Sequence, residues 1–360
     1  MGSAACYHLA RRKKRVLGLE QFDIPHERGS SHGHSRVIRK AYFEDPRYVP
    51  LLHRAFELWR ELETASGETL LHLTGGINIG PPDHPCIKGV QESVRLHSLT
   101  HAILDASEIR RRFPALRPVG NVVGIHEMDA GFLRPERCVL AHVEAARRHG
   151  AEIRTGQRVS AVEWTEKDVR VTTADGSVKA DRLILTAGAW LGNVLPIGLP
   201  LKVERQVQLW FSARDQAIFE PGRMPVFIYF LNDRSYYGIP AFDGRGVKIC
   251  RHHGGAIVTP DTVDRTVNRA DKDDVRAFVR THLAPLDGPS QDGMVCLYTN
   301  TPDENFIIGA SPASPRVIIA GGFSGHGFKF ASVVGEIVAD LATAGKTRHD
   351  ISMFSPTRFA

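Results

Sequence analysis

The stretch GSAACYHLARRKKRVLGLE (residues 2–20) decides the fold. It predicts a helix of small residues over positions 2–13, followed by a buried strand that ends in Glu20. In dinucleotide-binding folds the first helix begins at the pyrophosphate, and an acid about 20 residues further on binds a ribose hydroxyl. Gly2 and Glu20 match the last glycine of GxGxxG and that acid. The strand and the two glycines that precede them in this motif are not in the sequence, so we expect a misassigned start or a fragment.

Apolar runs later in the chain extend this pattern. Residues 182–190 run into a glycine turn, and residues 317–322 precede a glycine-rich loop and a helix at 331–344. Such runs are typical of parallel strands whose carboxyl ends face a cofactor. Between them, short alternating strands predict a mainly antiparallel sheet. These strands are expected at residues 206–211, 226–230, 235–239 and 247–250. An Asp175-Gly176 pair predicts a hairpin earlier in the chain.

Composition and charge restrict the function. The 360 residues are 42% hydrophobic and 24% charged, which is typical of a soluble protein with two domains. The sequence contains no run of 18 apolar residues, so no membrane-spanning helix is expected. The net charge is +6, but the basic residues are dispersed without interleaved aromatics, so no nucleic-acid partner is expected. A positive field also favours the approach of an anionic substrate.

The cysteines indicate a reducing compartment, and we expect the cytoplasm. Cys6, Cys86, Cys138, Cys250 and Cys296 are scattered and form no CxxC spacing. This distribution argues against a disulfide framework and against a zinc site. No metal site is therefore predicted.

Seven segments distributed over the chain carry a more specific pattern. They are GSSHGHSRVIRKAY (29–42), TAGAW (186–190), YYGIP (236–240), VKICRHHGG (247–255), VCLYTNTPDENFIIG (295–309), GGFSGHGFKF (321–330) and HDISMFSPTRF (349–359). In these segments the chain resembles the monomeric sarcosine oxidase family, which includes N-methyltryptophan oxidase and L-pipecolate oxidase.

The resemblance implies an α/β fold with an α+β second domain. An FAD-binding Rossmann-like domain would be interleaved with an antiparallel-sheet substrate domain that covers the flavin. Its N-terminal strand would be missing from this sequence. We expect the FAD-binding domain at residues 1–67, 136–200 and 301–360, and the substrate domain at 68–135 and 201–300.

The resemblance further implies FAD bound through a thioether between Cys296 and the 8α carbon of the flavin. The motif on which this implication rests is CLYTNTPDE (296–304). The alternative interpretation is that Cys296 is a buried core cysteine without a link to the flavin. Backbone N–H groups near the glycines would hold the phosphates and ring. The other implied cofactor contacts are Gly2, Glu20, His32, Val159, Gly188, Gly325, His326, Gly327 and Phe328.

Oxidation of an amino acid by a flavin makes three demands on the protein: cations for the carboxylate, a neutral amine, and a positive group beside the reduced flavin. The resemblance implies that Arg39 and Lys329 bind the carboxylate and that Lys248 activates oxygen. His252 would contact the substrate and adjust the protonation of its amine. Arg36 would act electrostatically near the flavin, and Tyr237 and Tyr298 would line the pocket. The alternative is surface charge for the cations and core packing for the tyrosines.

The expected reaction is oxidation of a secondary amino acid, such as sarcosine or N-methyltryptophan, by O2. Its products would be the demethylated amine, formaldehyde and hydrogen peroxide. A cyclic imino acid such as pipecolate or proline is the alternative substrate. A further alternative is an FAD-dependent dehydrogenase, but Lys248 argues against it because an oxygen-activating cation suits an oxidase. The remaining alternative is an inactive, N-terminally truncated FAD-binding relative. We expect a monomer whose partners are the amino acid and O2.

Overall fold

The computed structural model describes residues 1–195, 197–213, 215–284, 286 and 290–359. Apolar residues recurring at helical spacing form the long helices, whose buried faces build the core. In this part of the chain the α-helices are α1 (Gly2–Arg11), α2 (Val49–Ser66), α3 (Pro85–Leu96), α4 (Ala106–Arg112), α5 (Pro135–Arg148), α6 (Leu191–Val194), α7 (Arg269–His282) and α8 (Ala331–Ala344).

The strands carry the alternating and apolar runs of the sequence. Within the described residues they are β1 (Leu17–Leu19), β2 (Arg36–Ile38), β3 (Leu71–Leu73), β4 (Gly76–Gly80), β5 (Ala102–Asp105), β6 (Val123–Glu127), β7 (Gly131–Leu133), β8 (Glu152–Arg154), β9 (Ala161–Trp164), β10 (Val169–Thr173), β11 (Gly176–Ala180), β12 (Leu183–Leu185), β13 (Lys202–Phe211), β14 (Val226–Phe230), β15 (Ser235–Ile239), β16 (Val247–His252), β17 (Ser290–Asn300), β18 (Ile307–Ser311) and β19 (Ser314–Gly321).

The predicted antiparallel sheet is confirmed and is larger than expected. Eight strands pair in the order β17-β13-β16-β15-β14-β4-β6-β5, and β14–β4 is its parallel pair. Helix α7 covers one part of this sheet, where Phe278 stacks on Tyr236 with ring centroids 4.2 Å apart. All eight strands lie within 68–135 and 201–300. The assignment of these whole segments to one domain stays a prediction.

The predicted parallel strands form two separate pairs. Strand β1 pairs with β8, and β12 pairs with β19, both in parallel. Helices α1, α2, α5 and α8 share one hydrophobic core beside these pairs. Helix α8 approaches α1 so closely that a Cβ on Gly335 would lie 2.6 Å from the Cβ of Ala4. Packing between α1 and α8 thus fixes the position of the first helix.

Three smaller findings concern the remaining predictions. Strands β10 and β11 form an antiparallel hairpin in which Thr173 pairs with Gly176, as the Asp175-Gly176 pair predicts. All five cysteines are free thiols. A search of the described residues finds no helix with the length and hydropathy needed to span a bilayer.

Candidate active site

A cleft of about 1500 Å³ lies between the parallel strand pairs and the edge of the large sheet. It runs from Glu20 at the end of β1, past the start of α1, to Cys296 on β17. Of the residues implied as cofactor contacts, those that line this cleft are Gly2, Glu20, Val159, Gly188, Cys296, Gly325, Gly327 and Phe328. His32 and His326 do not line it, so their contact with the cofactor stays a prediction.

The N-terminus of α1 opens into this cleft. Met1 and Gly2 both line it, and no side chain caps the helix. The first N–H groups of a helix lack partners within the helix and attract anions. A Cβ on Gly2 would lie 2.7 Å from Thr186 Oγ1, so a side chain there would crowd this end of the cleft. Pyrophosphate at α1 and a ribose hydroxyl at Glu20 therefore fit the residues present.

Cys296 lies at the other end, beside a cation. Its side chain is buried, and Arg36 Nη2 lies 3.5 Å from its Sγ. Gln208 and the carbonyls of Ser30 and Ser35 accept the other hydrogen bonds of Arg36, which fix its guanidinium in place. A thiol next to a guanidinium is typical of reactive cysteines.

Lys248 is buried close to Arg36. Its Nζ donates to the carbonyls of Gly33 at 2.8 Å and Ser35 at 2.9 Å, and it lies 5.3 Å from the centroid of the Trp210 ring. Burial, and then the charge of Arg36, lower the pKa of Lys248 to about 7. Arg36 lines this end of the cleft and Lys248 is buried beside it, so the two cations can together stabilise negative charge that develops there.

His32 is packed against these two cations. Its Nε2 lies 3.1 Å from the carbonyl of Gly29, and its buried Nδ1 has no partner among the described residues. Burial, then Arg36 and Lys248, lower the pKa of His32 to about 3. The imidazole is therefore neutral at physiological pH and leaves one polar atom without a hydrogen bond.

Arg39 is almost fully buried and already holds a carboxylate. Its guanidinium lies over the rings of Tyr42 and Phe43, at 4.3 and 4.4 Å from their centroids. Its Nη2 contacts the Glu44 carboxylate oxygens at 3.0 and 2.8 Å, and its Nη1 donates to the Ala41 carbonyl. The side chain is thus oriented for a carboxylate, and Glu44 occupies that position in this structure.

Lys329 lies near Arg39 and over the same Tyr42 ring. Its Nζ donates to the His326 carbonyl at 2.7 Å and lies 5.2 Å from the centroid of the Tyr42 ring. Burial, and then Arg39, lower the pKa of Lys329 to about 7. His326 is held by the Tyr42 hydroxyl and by the Glu304 carbonyl. The structure therefore brings the two cations of the expected carboxylate clamp together.

Tyr237 on β15, His252 on the neighbouring strand β16 and Tyr298 on β17 form an aromatic group. His252 Nδ1 lies 3.2 Å from the Tyr298 hydroxyl, and the ring centroids of His252 and Tyr237 are 6.4 Å apart. Burial, and then His253, hold the pKa of His252 well below its ordinary value. Burial raises the pKa of both tyrosines. All three side chains are therefore uncharged near neutral pH.

Gly325 matters for this group because of its backbone. Its φ is +79°, and a Cβ there would lie 2.5 Å from the ring of Tyr298. Glycine is the residue that adopts this conformation without strain and lets the loop approach a ring so closely. The loop at 321–330 is thus held against the wall of the pocket.

Sequence reasoning missed two acidic residues of this region, Glu44 and Glu204. Glu44 pairs with Arg39, and Glu204 pairs with His253 at 3.1 Å. Glu204 was detectable in principle, because it is an acid inside an otherwise regular strand of the large sheet. Its partner, 49 residues away, was not detectable from spacing.

The fold and this cleft define a flavoprotein, and comparison with known families agrees. The family model described as DAO, FAD dependent oxidoreductase, matches residues 1–341. The chain belongs to this family of FAD-dependent oxidoreductases, which confirms the expected cofactor and class of enzyme.

The relatives identify a narrower group. The chain is 44% identical to a monomeric sarcosine oxidase of Streptomyces avermitilis, over 100% of this chain and 95% of that protein. It is 37% identical to an N-methyl-L-tryptophan oxidase of Citrobacter koseri, over 100% and 96%. The expected resemblance to the monomeric sarcosine oxidase family is thereby confirmed. Among solved structures, the open form of NikD, an unusual amino acid oxidase, superposes on this chain with a TM-score of 0.86. The superposition covers 98% of this chain and 94% of NikD at 24% sequence identity, and it supports the fold.

Proposed function

We propose that this protein oxidises an N-methyl amino acid with O2. The substrate, water and O2 would give the demethylated amino acid, formaldehyde and hydrogen peroxide. One observation carries this proposal: the buried cations Arg39 and Lys329 lie close enough to each other and to His252 for their charges to interact, and His252 contacts the Tyr298 hydroxyl. The sarcosine oxidase and the N-methyl-L-tryptophan oxidase among its relatives support this proposal.

Binding of the substrate carboxylate would use the two buried cations. Arg39 presents a planar fork that matches a carboxylate, and Lys329 adds a point charge. Because both are desolvated, their hydrogen bonds to an anion are stronger than they would be at the surface. The contacts of its guanidinium with the rings of Tyr42 and Phe43 keep Arg39 in one orientation.

The substrate amine must lose a proton before it is oxidised. His252 is a neutral imidazole beside the Tyr298 hydroxyl, so one of its ring nitrogens can accept a proton. Tyr237 and Tyr298 remain protonated and can donate hydrogen bonds. A neutral base among uncharged walls favours the neutral amine over the ammonium ion.

FAD, when bound, supplies the two-electron acceptor for the substrate and passes the electrons on to O2. Gly2 and Glu20 would hold its phosphate and ribose ends, and Cys296 would meet its ring. Lys248 and Arg36 would then place two positive charges close to the ring. Such preorganised charge stabilises anionic states on the path of oxygen reduction.

We also propose that the flavin is covalently bound at Cys296. Formation of the thioether joins Sγ to the 8α carbon and removes one hydrogen from each, and O2 is the final acceptor of the two electrons. Arg36 at 3.5 Å from Sγ supports this role. The free cysteines favour a cytoplasmic location. The relatives named monomeric sarcosine oxidase favour a monomer.

Cys296→Ser is expected to release the flavin on acid precipitation. The wild-type pellet should stay yellow because a thioether survives denaturation, whereas the variant should leave its colour in the supernatant. Cys250→Ser is the matched control, since Cys250 is equally buried but lies on β16 and does not line the cleft. Colour in the wild-type supernatant would show that the cofactor is not covalently attached.

The function itself is tested by peroxide release from the purified flavoprotein. Sarcosine and N-methyltryptophan should yield peroxide and formaldehyde in equal amounts. Pipecolate and proline contain no N-methyl group, so peroxide without formaldehyde from either would assign a cyclic imino acid as substrate. Flavin reduction without peroxide would indicate a dehydrogenase, and the absence of any reduction by all four would refute the proposal.

A further inference from the structure

One short segment, residues 33–41, carries or holds three cations of the candidate active site. Arg36 and Arg39 belong to it, and two of its carbonyls accept hydrogen bonds from Lys248 Nζ. Its regular structure is the three-residue strand β2. So short a strand is not stable by itself, and the position of all three cations depends on what holds this segment from outside.

The segment 127–136 lies beside it and contains β7. Strand β7 pairs with β2 in antiparallel order. Glu127 precedes β7 in the chain, and Glu136 follows it in the first turn of α5. In an antiparallel pair, the residues before one strand lie near the residues after its partner. The two glutamates therefore lie at opposite ends of the segment 33–41.

Glu127 holds the end of the segment that carries Arg39. Its Oε1 accepts from the N–H of Lys40 at 2.7 Å, and its Oε2 accepts from the N–H of Ala41 at 2.5 Å. Arg39 Nη1 in turn donates to the Ala41 carbonyl at 2.7 Å. Glu127 is 4% exposed, and burial raises the pKa of its carboxyl, while the two N–H groups act in the opposite direction. Glu127 thus fixes the residue whose carbonyl orients the guanidinium of Arg39.

Glu136 holds the other end of the segment in a similar way. Its Oε1 accepts from the N–H of Gly33 at 2.6 Å and from the N–H of His34 at 3.0 Å. The φ of Gly33 is +96° and that of His34 is +65°, a conformation that a histidine seldom adopts. This turn presents the carbonyls of Gly33 and Ser35 to Lys248 Nζ, at 2.8 and 2.9 Å. Glu136 thus stabilises the turn whose carbonyls place the lysine.

We propose that Glu127 and Glu136 are positioning residues for two different steps of the reaction. Glu127 sets Arg39 to bind the substrate carboxylate. Glu136 sets Lys248 for the reaction of the reduced flavin with O2. Each glutamate acts by holding the backbone of the segment 33–41, not by its charge alone. The inference rests on the proposed function, which gives these two tasks to the two cations.

The pairing of β2 with β7 makes the two tasks separable. The three residue pairs of this ladder lie between the two ends of the segment. Strand β7 is buried and pairs with β3 on its other side, so it is held independently of both glutamates. Loss of the hydrogen bonds at one end should therefore loosen that end and leave the other in place.

Aspartate and glutamine substitutions separate reach from charge. Glu127→Asp and Glu136→Asp keep the negative charge but shorten the side chain by a methylene group, which takes the carboxylate out of reach of the backbone N–H groups. Glutamine keeps the length and loses the charge. Because one oxygen of Glu136 accepts both hydrogen bonds, Glu136→Gln can retain both. Glu127 uses a different oxygen for each N–H group, so Glu127→Gln can retain only one of them.

Each aspartate variant should weaken one half-reaction of the holoenzyme. In Glu127→Asp, the Kd of the N-methyl amino acid in anaerobic flavin reduction should rise by about 10-fold, the low end for a hydrogen bond to a charged group. In Glu136→Asp, the reaction of the reduced enzyme with O2 should slow by about 10-fold, less than complete removal of such a group costs. The other half-reaction should change by less than about threefold in each variant. At about pH 6, below the pKa of Lys248 of about 7, that lysine stays charged throughout.

The glutamine variants should differ from each other. Glu136→Gln should keep most of the wild-type rate with O2, because both hydrogen bonds can persist. Glu127→Gln should bind the amino acid with a Kd between those of the wild type and Glu127→Asp. If charge alone mattered, glutamine would be the more damaging substitution at both positions.

Hydrogen–deuterium exchange gives a readout that does not depend on turnover. Glu127→Asp should speed exchange at the amides of residues 40–41 and leave residues 33–34 unchanged, and Glu136→Asp should do the reverse. Backbone N–H groups that lose a buried acceptor exchange through local opening, so the effect reports directly on which end is held.

Glu63→Asp is the matched control. Glu63 Oε1 likewise accepts from two successive N–H groups, those of Leu70 and Leu71, at 2.7 and 2.9 Å. These residues lead into β3, which lies on the far side of β7 from β2. Exchange should become faster at this place, and neither half-reaction should change.

If no N-methyl amino acid reduces the flavin, the proposed function fails, but the positioning roles can still be tested. Binding of propionate, followed by flavin absorbance, should then be weaker in Glu127→Asp, and the photoreduced enzyme should react more slowly with O2 in Glu136→Asp. Wild-type behaviour of both aspartate variants, equal losses in both half-reactions, or faster exchange at both ends would overturn the proposal. So would a Glu136→Gln variant that is as slow with O2 as Glu136→Asp.

Discussion

Lys248→Met is expected to slow the reaction of the reduced enzyme with O2 by about 10²–10³-fold, the usual effect of removing one preorganised charge-stabilising group. Methionine keeps the contact with the Trp210 ring but removes the buried cation that lies next to Arg36. The measurement is stopped-flow mixing of anaerobically reduced enzyme with oxygenated buffer. Reduction by the amino acid without O2 should change by less than about tenfold, since Arg39 and Lys329 are untouched.

The control for this prediction is Lys272→Met, because Lys272 lies on the surface helix α7 and not in the cleft.

The pH dependence of the O2 reaction adds a second test of the role of Lys248. Burial and Arg36 lower the pKa of Lys248 to about 7, so its charge is present below that pH and lost as pH rises through it. An anion in the cleft raises this pKa again. The O2 reaction should therefore slow at alkaline pH in the wild type, and this slope should vanish in Lys248→Met. Equal losses in both half-reactions would contradict the assigned role.

The strands and the last helix were predictable because local periodicity defines them. Strands β14 and β15 and helix α8 begin and end at the residues expected from the sequence. Their apolar positions repeat with the period of the element that forms, and burial on one or both faces preserves that pattern. Helix α7 escaped prediction because half of its residues are charged, and only a narrow face around Phe278 is buried.

The candidate site was predictable only as a set of residues, not as a set of pairs. The seven motifs bring in Arg39, Lys248, His252, Cys296 and Lys329, but say nothing about what each of them contacts. The hydrogen bond between Tyr42 and His326 joins residues 284 positions apart, in segments that precede α2 and α8, two helices that share one core. Partners that depend on such packing leave no spacing in the sequence.

The pairing of Arg39 with Glu44 shows why this difference matters for mutagenesis. Arg39→Met alone leaves Glu44 buried without its cation, and breaking a buried pair in this way typically costs about 3–5 kcal/mol. The pKa of Glu44 lies below its ordinary value because Arg39, His326 and Lys329 outweigh its burial. Any loss of activity in the single variant would then mix misfolding, repulsion of the substrate carboxylate and loss of binding.

Arg39→Met combined with Glu44→Gln is therefore the informative variant, compared with Glu44→Gln alone. We expect KM for the N-methyl amino acid to rise by about 10–100-fold relative to Glu44→Gln, because hydrogen bonds to a charged group contribute about 1.5–3 kcal/mol. The change in kcat should be smaller, since the amine would still meet His252. Steady-state peroxide assays measure both constants, and thermal unfolding checks that the two variants are equally stable. An N-methyl amine without a carboxylate should be oxidised equally poorly by both variants, because its binding does not use Arg39. If KM for the amino acid is instead the same in both variants, then Arg39 serves only to neutralise Glu44, and Lys329 alone binds the substrate carboxylate.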